Sequence, residues 1–204
     1  MRPSLWLTTL SFAVGVLSPT IATAQDPRLE RRLDSATVAA LGIVIDSARA
    51  TGLPVEPLVQ RALEGAAKQA SPVRIVAAVR LLADEMGVAR AALGTASTTA
   101  ELVAAASALR AGVRPADLTE LRQRRSTGLT VSLAAVTDLV TSGVPADSAA
   151  AAVLALAAAR DDQIVDFRRA VERYIALGAP PAAATAVRVN AALNELAPGP
   201  SRRP

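Results

Sequence analysis

After Asp34, apolar residues recur at three- and four-residue steps in nearly every segment, and no stretch alternates with the two-residue period of a half-buried strand. The pattern predicts helices near 35–50, 55–69, 72–93, 98–111, 115–125, 130–142, 146–159, 162–177 and 181–196. In the 162–177 segment Ile164, Phe167, Val171 and Tyr174 form one apolar stripe, with Arg168 and Glu172 spaced to pair on another face. Phe167 and Tyr174 are expected to anchor the core there. Ala149 to Ala159 is apolar all round, which predicts a buried central helix, since its 11 residues fall well short of a membrane span.

The punctuation between these segments repeats. Gly52-Leu53-Pro54, Gly112-Val113-Arg114-Pro115, Gly143-Val144-Pro145 and Gly178-Ala179-Pro180 each follow one helical run and precede another. Glycine can take the left-handed conformation that ends a helix, the next apolar residue can fold back on the last turn, and proline suits the start of the next helix. Thr98 and Glu101 have capping-box spacing, and Ser71-Pro72 places a hydroxyl before a first-turn proline. The expected fold is therefore all-α. About nine short antiparallel helices joined by Gly-x-Pro corners would form a helical bundle or a degenerate helical-hairpin repeat array. Gly112, Gly143 and Gly178 are 31 and 35 residues apart, which is the period of such arrays, but no tetratricopeptide or ankyrin pattern is present.

The start of the chain changes the picture. Arg2, the apolar run Leu5 to Leu17 and Ala22-Thr23-Ala24 have the order of a secretory signal peptide, with cleavage expected after Ala24. Residues 25–33 read as a solvated leader, 34–196 as a single helical domain with a possible joint at 94–97, and 197–204 as a disordered tail rich in Pro and Gly. The expected location is periplasmic or secreted, with no transmembrane segment after cleavage. Loss of Arg2 leaves 21 basic groups against 18 acidic ones, so the net charge falls from +4 to +3. Such a balance argues against nucleic-acid binding, as does the lack of aromatic residues near the basic clusters.

The chain contains neither His nor Cys. Imidazole general-base chemistry, Ser-His-Asp and Cys-His nucleophile systems, disulfides and His/Cys zinc sites are all excluded. Glycines occur singly, so there is no phosphate-cradling loop. Asp84-Glu85 and Asp161-Asp162 are adjacent acids, but neighbours on a helix point about 100° apart, and capping or solvation explains them. Lys68, the one lysine, has no serine within its own predicted helix, 55–69. What remains is a basic cluster, Arg110, Arg114, Arg122, Arg124 and Arg125, a possible patch for an anionic ligand or a partner.

These features point to an exported, non-enzymatic helical scaffold or protein-interaction module that uses no cofactor and has a protein as its partner. One alternative is an envelope-associated protein binding anionic lipid or polymer through the arginine cluster. The other, much weaker, is a carboxylate- or metal-dependent enzyme.

Overall fold

The computed structural model describes residues 26–125 and 127–196. Residues 1–24, read above as a signal peptide, and 197–204, read as a tail, lie outside the described residues. Ten helices follow one another: α1 (Pro27–Glu30), α2 (Ser35–Ala50), α3 (Glu56–Ala67), α4 (Pro72–Leu93), α5 (Thr99–Arg110), α6 (Pro115–Arg124), α7 (Thr130–Thr141), α8 (Ala146–Ala155), α9 (Asp161–Ala176) and α10 (Pro181–Leu196). Among the described residues there is no strand, and the fold is all-α with bundle-like packing. The even-numbered helices lie side by side from α2 to α10, and α5, α7 and α9 form a second row beside them. α3 packs on α4, and α1 closes the end against α2 and α3.

All four glycine corners close in the same way. Gly52, Gly112, Gly143 and Gly178 have φ between 72° and 98°. The next residue donates its N–H to a carbonyl five positions back: Leu53 to Ala48 at 3.0 Å or less, Val113 to Ala108, Val144 to Leu139 and Ala179 to Tyr174. This is the Schellman arrangement, and it satisfies carbonyls that the helix end would leave free. Gln69 makes a fifth such corner with φ 54°, and Ala70 bonds back to Gly65. No glycine marks that turn in the sequence.

The capping box is present, with Thr98 N–H donating to Glu101 Oε2 at 2.9 Å and Glu101 N–H to Thr98 Oγ1 at 3.2 Å. Ser71 precedes α4 as expected, but its hydroxyl makes no cap bond and Pro72 alone sets the first turn. Residues 27–30, expected within a solvated leader, form a helical turn instead. Asp26 caps it and Leu29 is buried against α2 and α3, so the leader contributes to the core. Across the loop at 94–97, α4 packs on both α5 and α6.

The core is built mostly from Leu, Val and Ala, with Ile45, Ile75, Met86, Ile164 and Phe167 among them. Small side chains give little apolar area, so helices gain dispersion by close approach. Gly65 shows this closeness, since a Cβ there would lie 2.9 Å from Ile75 Cγ1 on α4. Two expectations about the C-terminal half change. α8 stops at Ala155, and Ala151 and Ala155 are exposed, so 149–159 is neither one helix nor buried all round. In α9, Ile164, Phe167 and Val171 are buried, but Tyr174 is exposed under the Arg188 guanidinium, 5.8 Å from its ring centroid.

Candidate functional site

The five arginines of the expected patch are all engaged with acids. Arg110 Nε donates to Glu85 at 3.0 Å from α5 to α4. Arg114 grips the buried carboxylate of Asp117 at 2.7 Å and holds it below its usual pKa. Arg124 pairs with Glu120 one turn back. Arg122 reaches the buried carboxylate of Glu101 at 2.8 Å. Arg124 and Arg125 line an open depression of about 610 Å³ together with Arg160.

Arg125 is the least like a surface ligand, being only 4% exposed. Its Nη1 donates to the carbonyls of Ala157 at 3.1 Å and Ala159 at 2.7 Å, its Nε donates to Gly128 O at 3.2 Å, and its Nη2 pairs with Asp161. The carbonyls left over where α8 unwinds are thus satisfied by a planar, permanently charged fork from the end of α6. The pairing also accounts for Asp161, and Asp162 pairs with Arg160 at 2.8 Å. Lys68 is tied to Glu64 at 2.6 Å. Among the described residues no three acidic side chains gather closely enough to hold a metal ion.

Glu101 joins three helices. Besides closing its own cap, Oε1 accepts the Leu129 N–H at 2.9 Å and the Arg122 guanidinium. Burial opposes its charge, but the N–H groups of Thr98 and Leu129 and the Arg122 guanidinium outweigh it and lower its pKa. Its capping role is legible from spacing; its bonds to α6 and α7 are not, because they join residues distant in sequence.

The other surface feature is a set of exposed aliphatic side chains on two neighbouring helices. α2 and α4 run side by side in the same direction. Ala36 and Ala40 face Val73, Val76 and Ala77 across a shallow groove of about 430 Å³, and at the far end Arg90 Nη2 lies 3.5 Å from Gly52 O. Large aliphatic side chains project from this pair of helices: Ile43 is 73% exposed and Val73 78%, with Leu81 and Val88 about half exposed. Positions 73, 77, 81 and 88 of α4 follow helical spacing on the face opposite Ile75, Val79, Leu82 and Met86 in the core. This outer face escapes sequence reading because α4 is apolar on both sides. Among the described residues no helix is long and apolar enough to cross a membrane.

A second concavity lies between α1, α2 and α3. It holds about 290 Å³, with Leu29, Val38, Ile45 and Val59 along its walls and Asp26, Asp46, Glu56 and Arg49 at its mouth. Arg28 bridges two of those acids, Asp26 and Glu56, at 2.7 Å each. Comparisons of the chain with protein families, with curated proteins and with solved structures find no match.

Proposed function

We propose that this chain is an exported helical interaction module and that the outer face of α2 and α4 receives a partner protein. The observation that carries this reading is the exposure of Ile43, Val73, Leu81 and Val88 on one pair of neighbouring helices, beside a groove between them. Exposed aliphatic side chains grouped in this way cost solubility unless something covers them, and Arg80 in the groove, with Asp84 beside Leu81, would give a partner polar contacts. The groove is shallow, straight and bounded by two helices, which suits an amphipathic helix laid along it with aliphatic side chains at three- and four-residue steps. The export half of the proposal rests on residues 1–24. The five clustered arginines support the reading indirectly, since each already has an acidic partner and is less available to an anionic polymer.

Position-specific photocrosslinking in intact cells tests this directly. Amine-reactive reagents would find only Lys68 and the chain start, so benzoylphenylalanine is placed at Val73, at Leu81 and, as a control, at Arg169 of α9. The expected result is one adduct of the same mass from Val73 and Leu81, none from Arg169, and loss of the Leu81 adduct when Ile43→Glu is added. Adducts of equal yield from all three positions, or from none, would overturn the docking face.

A further inference from the structure

The concavity between α1, α2 and α3 has a feature that its packing does not require. Gly42 sits in the middle of α2 and borders the cavity. A glycine inside a helix costs roughly 1 kcal/mol relative to alanine, so it usually has a reason. Gly52, Gly94, Gly112, Gly143 and Gly178 have positive φ, and Gly65 makes room for Ile75. Gly42 has neither reason: its φ is not positive, and a Cβ built on it would meet nothing within 4 Å. Gly87 and Gly128 share that freedom, but of the three only Gly42 lines one of the cavities described. The structural consequence of the missing side chain is an open cavity wall.

The walls and the mouth differ in chemistry. Leu29, Val38, Ile45 and Val59 are buried aliphatic side chains. The mouth carries the carboxylates of Asp26, Asp46 and Glu56, against the guanidiniums of Arg28 and Arg49. Three negative and two positive groups leave one net negative charge beside an apolar space. Asp46 is the least committed of the acids, paired only with Arg49, whose side chain is itself half exposed.

We infer that this cavity binds a small hydrophobic organic cation, with its hydrocarbon or aromatic body between α1, α2 and α3 and its ammonium at the carboxylate mouth. The volume fits this class: a cavity of about 150 Å³ takes a benzene ring, and this one, at about 290 Å³, has room for a ring with a short aminoalkyl arm. The ammonium would cancel the residual charge of the mouth. A carboxylate ligand would add a fourth negative group there and be repelled by it.

Calorimetric or NMR titration of the mature protein with 2-phenylethylammonium, 2-phenylethanol and 3-phenylpropionate tests the inference. The expected result is saturable binding of the ammonium, at least tenfold weaker binding of the carboxylate, and weakening as salt rises. Gly42→Leu fills the cavity from a position where leucine is compatible with the helix, and abolishes binding. Gly42→Ala takes up only one methyl group of the space and retains most of the binding, which keeps the test decisive if the larger replacement fails to fold. Asp46→Asn weakens the ammonium several-fold and leaves 2-phenylethanol unchanged. No saturable binding, equal affinity for the carboxylate, or binding that persists in a folded Gly42→Leu protein would overturn the site.

Discussion

Arg125 brings a guanidinium into the interior to meet three main-chain carbonyls and Asp161. Removing it strands those carbonyls, and breaking a buried charge network of this kind costs about 3–5 kcal/mol. Arg125→Met is expected to lower the melting temperature by roughly 8–15 °C in a domain of this size. Arg125→Lys would recover only part of the loss, because an ammonium cannot span the carbonyls of Gly128, Ala157 and Ala159 from one point. Thermal unfolding of the two variants checks both statements; equal stability of Arg125→Met and the parent would show that the network contributes nothing. In the sequence, Arg125 stands with four other arginines and looks like part of a surface cluster. Its burial depends on where α8 unwinds, some 30 residues away, and local pattern carries no trace of that. Thr98 and Glu101 were legible because a capping box is decided within four residues.

The helix corners show how far local chemistry reaches. At four of them a glycine at positive φ, an apolar residue and a nearby proline give the turn away, so the helices on either side could be bounded closely from sequence. The corner at Gln69 has the same hydrogen bonds without the glycine, and holds an ordinary side chain at φ 54°. That conformation costs an L-residue about 1 kcal/mol or more. Gln69→Gly is expected to be neutral or to raise stability by up to about 1 kcal/mol, whereas Gly112→Ala at φ 98° lowers it by about 1–2 kcal/mol. The urea midpoint of Gly112→Ala should therefore fall while that of Gln69→Gly holds or rises, and a loss of stability in Gln69→Gly would contradict the strain at that corner. The short turn α1 was not legible for a different reason. Four residues carry no periodicity, and the buried Leu29 that holds them is a tertiary contact. The early end of α8 belongs with it, since alanines favour helix and the contacts that hold the unwound segment, those of Arg125 among them, come from elsewhere in the chain.

Across the whole molecule, stability against acid follows from the carboxylates. Glu56 is lowered to about 2, chiefly by the Arg28 guanidinium with help from Gln60, and Glu101 and Asp117 are also held below their ordinary values. A carboxyl whose folded pKa is depressed stabilises the fold above its unfolded value, 4.5 for glutamate, and that contribution disappears as the pH falls through the folded value. With no histidine to titrate, the urea midpoint is expected to stay nearly level from about pH 8 to 5 and then to fall steadily towards pH 2. Glu101→Gln should start lower at neutral pH and fall less steeply; an unchanged acid slope would remove Glu101 from the account. The all-α class and the order of nine of the ten helices were legible because each rests on periodicity and corner residues. The packing of alternate helices side by side, and the face of α2 and α4 left outside, were not, because an alanine-rich surface and an alanine-rich core have the same pattern in one dimension. The Leu129 N–H, held by Glu101 from another helix, gives this architecture a built-in clock. Its exchange with deuterium requires Leu129 to leave Glu101, so the protection of this single amide measures how often the junction of α5 and α7 opens in the native state.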